Sequence, residues 1–240
     1  MLHFGPNQSS VATNRTAVFP PFAHIDDSPD DRRRREQMIQ QQIVARSIHN
    51  QRVLGAMSRV PRHLFLDPDQ RAEAYTDQAM PSAHQQTISQ PFIVAIMSEQ
   101  LDIKPQHRVL EIGTGTGYQT AILALLAHEV YTVERIEALS TNAQAVLTGL
   151  GFTNIFYLIG DGYSGWAQHA PFDRILVTAA STEVPQPLLE QLTDGGKLII
   201  PLGGNNDVQM LTAIDRHGET FRRVDLLACR FVPLISGQGR

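Results

Sequence analysis

The stretch Val109-Leu110-Glu111-Ile112-Gly113-Thr114-Gly115-Thr116-Gly117-Tyr118 carries an apolar strand through a glycine-rich turn into a helix. Glycine at such a junction lets the backbone turn tightly and come close to a ligand. In open parallel sheets, ligands bind beyond the carboxyl ends of the strands. A dinucleotide-binding loop would prefer G-x-G-x-x-G and set a pyrophosphate on the helix N-terminus. Here the spacing is G-x-G-x-G, and Tyr118 stands three residues after Gly115. Glu111 would repel a pyrophosphate, but it suits a cationic sulfonium cofactor that carries an amino group. Taken alone, the motif also allows a tight turn with no ligand at all.

The next strands narrow the choice. Residues 129–133 read as a strand closed by Glu134, whose carboxylate can accept both hydroxyls of a ribose. Residues 154–159 read as a third strand, followed by Gly160-Asp161-Gly162. An Asp between glycines is often only a turn residue, but at this place it can accept an adenine amino group. Three acids in this order, with Gly113, Thr114, Gly115, Gly117 and Gly162, point to S-adenosylmethionine as the cofactor. Helices are predicted over 118–127, 136–150 and 187–192, and further strands over 172–178, 197–201, 208–215 and 220–232. This alternation predicts a three-layer α/β/α sandwich around a central, mainly parallel sheet of Rossmann-like type, with an antiparallel pair at the end.

Upstream of the motif the pattern is helical. Met38, Ile39, Gln42, Ile43 and Arg46 share a helical face, as do Val53, Leu54 and Met57, with a break near 47–50. Val60 before Pro61 ends the second of these helices. Residues 63–91 show little periodicity, which in a compact domain marks a functional loop. Pro91 then opens a helix through Leu101. These segments predict a helical N-terminal cap over the site. Residues 1–35, with Asp26-Asp27, Asp30-Asp31 and the run Arg32 to Arg35, predict a disordered or loosely docked extension ahead of a methyltransferase domain over 36–240.

Composition sets bounds on function. The chain has 240 residues and a formal charge of −4, so it has no basic field to hold nucleic acid. Cys229 is the one cysteine, which suits a reducing compartment. Cys229 itself reads as a small buried hydrophobe, and Trp166 as a packing residue. The apolar runs are too short for a membrane span, and the first 25 residues lack a secretory core. The histidines show no metal-ligand spacing, so no metal is expected. The chain reads as a cytoplasmic protein without nucleic-acid or membrane partners, and as a monomer.

Several segments carry a more specific resemblance. Glu111 to Gln119, Gly160-Asp-Gly162 with Gly165-Trp166, Pro171-Phe-Asp173 and Val177-Thr-Ala-Ala180 resemble the protein-L-isoaspartate O-methyltransferases. So do Val60-Pro-Arg62, Ala74-Tyr75, Gln86-Thr-Ile-Ser-Gln-Pro91 and Arg230-Phe-Val-Pro-Leu234. The resemblance spans about residues 35–235. It implies methyl transfer from S-adenosylmethionine to the free α-carboxylate of L-isoaspartyl residues in damaged proteins and peptides, with S-adenosyl-L-homocysteine as product. It implies Ser89 as the catalytic serine, and Gln86, Thr87, Ile88, Arg230, Phe231 and Val232 as substrate-binding. From the residues alone, Ser89 equally reads as a helix N-cap. Ala83 and Gln85 stand where the family usually has glycines, and Ser47 where glycine is common. A diverged substrate loop acting on another carboxylate or a small molecule is the alternative these departures suggest.

Overall fold

The computed structural model describes residues 27–204 and 208–237. Helix α1 (Pro29–Met38) starts at Ser28, whose side chain accepts the Asp31 N–H, with proline in the first turn. It runs on through a π turn (Ile39–Ile43) and a 3-10 turn (Val44–Arg46), and ends where Ser47 takes φ 66°. The boundary expected near residue 35 therefore falls inside a helix. The opposed charges around it pair: Arg33 with Asp30, Arg34 with Asp30 and Asp31, and a buried Arg35 with Asp27. Residues 1–26 lie outside the described part. Helix α2 (Gln51–Arg59) is capped by the Asn50 side chain and stops at Val60 before Pro61.

The segment without periodicity holds 3-10 turns and a small antiparallel hairpin. Its strands are β1 (Met80–Pro81) and β2 (Thr87–Ile88), with Met80 opposite Ile88. Helix α3 (Pro91–Gln100) follows. Its N-cap is Gln90, with no side-chain cap bond, so the capping role that the sequence allowed for Ser89 is not used.

The rest of the chain winds β3 (Arg108–Ile112), α4 (Tyr118–Leu126), β4 (Glu129–Glu134), α5 (Glu137–Gly149), β5 (Ile155–Ile159), β6 (Phe172–Val177), α6 (Gln186–Glu190), β7 (Leu192–Leu202), β8 (Gln209–His217) and β9 (Thr220–Cys229). The seven long strands form one sheet in the order β5-β4-β3-β6-β7-β8-β9. β5, β4, β3, β6 and β7 are parallel, and the last two pairings are antiparallel. The chain reverses its winding between β3 and β6, so the topological switch point lies at their carboxyl ends.

Two apolar layers show why the strands read as continuous hydrophobic runs. Val109, Val130, Leu176 and Ile199 face one layer, with the buried residues of α2 to α5. Leu110, Ile112, Val133, Ile175 and Leu198 face the other, with Leu188 of α6 and a half-buried Trp166. Alternate residues go to opposite faces because the strand period is two. The second outer layer is thin, since α6 has five residues and 3-10 turns supply the remainder. β7 begins at Leu192, five residues before the expected start, through a register irregularity against β6. The strand expected to reach residue 232 stops at Cys229. The chain then crosses to β6's end, where the Ala180 N–H donates to the Val232 carbonyl at 2.8 Å.

Candidate cofactor and substrate site

A cleft partly open to solvent lies at the carboxyl ends of the parallel strands. Gly113, Thr114, Gly115 and Thr116 line one side of it, and Glu134, Arg135 and Ile136 continue that wall from β4. Gln86, Thr87, Ile88 and Ser89 close it from the hairpin, and Gly162 and Val232 also reach it. The structure thus gathers ten of the fifteen residues expected at the site.

The glycine turn is held by backbone bonds and by one side chain. The Gly113 N–H donates to the Val133 carbonyl at 2.8 Å, and the Gly117 N–H to the Thr114 carbonyl at 2.9 Å. Glu134 takes the Gly115 N–H on Oε2 and the Ile136 N–H on Oε1, both at 3.0 Å. Its carboxylate is thereby fixed on the wall. Gly117 is the N-cap of α4 at φ 90°, and a Cβ there would stand 3.1 Å from both Ala143 Cβ and Leu147 Cδ1. It serves helix packing and does not line the cleft.

Glu111 needs a correction. It does not reach the cleft but is fully buried beneath the turn. Parity explains this: residues 109, 111, 130 and 132 share the face covered by α4, so Glu111 points between sheet and helix. Its Oε2 accepts Thr120 Oγ1 at 2.6 Å and Thr132 Oγ1 at 2.7 Å. Thr132 has one hydrogen, so Thr114 Oγ1, 2.7 Å away, is the donor to it. Burial pushes the carboxyl up to about 8, and the Glu134 charge adds to the rise. Oε1 has no hydrogen-bond partner, which makes it the oxygen that carries the proton.

A pH dependence follows. The folded carboxyl holds its proton to about pH 8, whereas an ordinary glutamate carboxyl ionises near 4.5. Between these values the unfolded chain ionises first, so this group's support is complete at low pH and is lost as pH rises through the window. Glu111→Gln keeps the shape without the titration. Its melting temperature, relative to the parent without ligand, is expected to rise from pH 5 to pH 8. A difference that stays flat across that range would show that the carboxyl does not titrate there.

Asp161 and the Arg230 segment also depart from expectation. Asp161 does not line the cleft. Its Oδ1 accepts the Tyr163 N–H at 2.9 Å, and its Oδ2 the Gly237 N–H at 2.8 Å. Arg230 is exposed, and the Phe231 N–H donates to Gln209 Oε1, so of this segment only Val232 lines the cleft. Strand-like alternation cannot tell which of the three turns inward once the strand has ended. The sequence reading missed Thr178, which lines the cleft from the end of β6. Its hydroxyl bonds the Ile112 and Gly113 carbonyls at 3.0 and 2.7 Å, across the switch point. The signal was available: a polar residue just after an apolar parallel strand.

The hairpin loop explains part of the glycine question. Of the two positions where the family has glycine, Gln85 takes φ 59°, as does its neighbour His84 at φ 57°, while Ala83 is not among the positive-φ residues. A non-glycine residue there costs about 1–2 kcal/mol, offset by the larger unfolded-state entropy of glycine. Gln85→Gly is therefore expected to stabilise the protein by up to about 1 kcal/mol, and Ala83→Gly is expected not to. Denaturant midpoints read both.

These residues fit a sulfonium nucleoside. The wall carries the acidic Glu134 beside the glycine turn. At Gly113 any Cβ would fill the approach, 2.3 Å from Thr178 Oγ1. Among the described residues no cluster of three or more metal-ligating side chains occurs, and no helix is long and apolar enough to cross a membrane.

Comparison with known proteins gives the family and the fold. The family model described as protein-L-isoaspartate(D-aspartate) O-methyltransferase matches residues 33–239. A protein-L-isoaspartate O-methyltransferase of Syntrophus aciditrophicus is 47% identical over 209 residues, which are 86% of this chain and 96% of that one. Another, of Dictyoglomus turgidum, is 51% identical over 192 residues, 80% and 87% of the two chains. A solved protein-L-isoaspartate O-methyltransferase superposes with a TM-score of 0.76 at 27% identity, covering 85% of this chain and 67% of its own. A Plasmodium falciparum structure at 24% identity, covering 86% of this chain and 99% of its own with a TM-score of 0.73, shares the fold.

Fold and site together define a class I, S-adenosylmethionine-dependent methyltransferase. Within that class, the chain belongs to the protein-L-isoaspartate(D-aspartate) O-methyltransferase family.

Proposed function

We propose that the cleft methylates the free α-carboxylate of L-isoaspartyl residues in damaged proteins and peptides, with Ser89 as the residue that orients the acceptor. The enzyme is a protein-L-isoaspartate O-methyltransferase. S-adenosylmethionine, when bound, supplies an electrophilic methyl on a cationic sulfur and leaves as S-adenosyl-L-homocysteine. An O–CH3 bond forms on the carboxylate as the S–CH3 bond breaks, and no proton has to move.

The observation that carries the reading is the make-up of the lining. Ser89 faces the cleft opposite the glycine turn, and among the described lining residues there is no histidine or lysine. A carboxylate with a pKa of about 3.3–4 is already ionised at neutral pH, so it needs orientation and not a base. Ser89 donates its hydroxyl to the carboxylate, and Gln86, Thr87 and Ile88 hold the peptide along the hairpin with Val232 opposite. Glu134 accepts the ribose hydroxyls. Thr114, Gly115 and Gly162 bring backbone to the nucleoside.

In this reading the hairpin, with Gln85 at φ 59°, serves the isoaspartyl peptide and not another carboxylate or a small molecule. The same reading takes the protein as a cytoplasmic monomer acting without nucleic acid, consistent with a net charge of −4. The test is incubation with methyl-labelled S-adenosylmethionine and matched isoaspartyl and aspartyl peptides. Label is expected on the isoaspartyl peptide alone, and equal labelling of both would end the proposal.

A further inference from the structure

Arg62 is the largest fully buried side chain among the described residues, and it carries a charge. Removing a guanidinium from water has a penalty of several kcal/mol, and an apolar side chain of similar volume would fill the same space without it. What the charge does there is specific. Nε donates to the Ala74 carbonyl at 2.8 Å, and Nη2 to the Ser89 carbonyl at 2.9 Å. The guanidinium lies 4.8 Å from the centroid of the Tyr118 ring. Burial lowers its pKa only to about 10, so it remains a cation at neutral pH.

These three contacts join parts of the site that nothing local connects. Ser89 sits between β2 and α3 in a segment whose helix start has no side-chain cap. Its carbonyl belongs to the peptide unit that sets the direction of the Ser89 side chain. Tyr118 is the first residue of α4, directly after the glycine turn, and it also lines the cleft. A planar fork with five donors in fixed directions can hold a carbonyl on one side and stack on an aromatic face on the other, which a lysine cannot do. The distance between acceptor oxygen and methyl carbon is where small errors of position reduce rate most.

We propose that Arg62 is a positioning residue that holds the Ser89 hydroxyl in register with the cofactor turn, so that it sets kcat and not the binding of either ligand. This rests on the role given to Ser89 above. The experiment is a cycle of Arg62→Lys and Ser89→Ala, singly and together, with Arg62→Met as an uncharged filler of similar size. Steady-state rates are read with an isoaspartyl peptide, S-adenosyl-L-homocysteine binding by calorimetry, and folding by the cooperative melt.

Arg62→Lys is expected to lower kcat at least tenfold, with KM for the peptide and Kd for S-adenosyl-L-homocysteine within about threefold of the parent. Arg62→Met is expected to fold and bind, and to lose at least as much kcat. On the Ser89→Ala background, Arg62→Lys is expected to change kcat less than threefold, because the group it acts through is gone. An equal loss on both backgrounds would overturn the role of Arg62 while leaving that of Ser89. Full activity of Ser89→Ala would overturn both. Loss of the cooperative melt in both Arg62 variants, or parent-like kcat in Arg62→Met, would make Arg62 a scaffold residue and end the proposal.

Discussion

Gly113→Ala is expected to weaken S-adenosyl-L-homocysteine binding at least thirtyfold and to lower the melting temperature. Gly113 has φ 95°, a conformation that L side chains rarely adopt, and the strain amounts to roughly 1–2 kcal/mol. The added methyl would also stand 2.3 Å from Thr178 Oγ1. That hydroxyl cannot move aside freely, because it donates to the carbonyls of Ile112 and Gly113 itself. Losing its hydrogen bonds adds about 0.5–1.5 kcal/mol. The two effects act at a residue that lines the cleft, and every 1.4 kcal/mol of lost binding is tenfold in affinity. Thr178→Gly in the same chain removes the overlap but not the backbone strain, so it is expected to restore only part of the affinity. Calorimetry on the three variants reads this directly. Parent-like affinity in Gly113→Ala would place the nucleoside away from this turn.

Ser89→Ala is expected to reduce kcat on an isoaspartyl peptide by about a hundredfold or more, with S-adenosyl-L-homocysteine affinity kept within about threefold. The carboxylate loses charge as it attacks, so the hydroxyl acts by orientation, and misplacing a reacting atom by about 1 Å can cost about 10² in rate. Ser89 has no proton to abstract here, since the nucleophile is ionised well below neutral pH. The pH–rate profiles of parent and variant should therefore run parallel between about pH 5 and 8, the variant lower throughout. A profile that changes shape on substitution would indicate a proton transfer and argue for a different role. Because Ser89 does not cap α3, stability should change little, which separates a positioning effect from an unfolding one.

Much of this fold was legible because its signals are local. The apolar strand read ahead of the glycine turn is β3, and the tight turn read at 113, 115 and 117 is made by glycines with positive φ. Glu134 was legible for the same reason, being the acid that ends a strand next to the turn. Gln86 to Ser89 depended on the resemblance, since a two-residue strand and a short turn leave no periodicity to read. Arg230 and Phe231 were drawn in by the same segment match, but the crossing of the chain after β9 turns only Val232 toward the cleft.

The order of strands and helices, the placement of the glycine turn and the acid after β4 were settled by the chain's own spacing, because strand and helix periods and glycine's freedom act between neighbours. Tertiary structure alone decided that Glu111 is buried against two threonine hydroxyls, that Asp161 meets the backbone of Gly237, and that Arg62 reaches Ser89. Each of those pairings joins residues 9 to 76 positions apart. Which partner a polar group finds at such separation depends on how the layers stack, and on the penalty for leaving it unpaired once water is excluded.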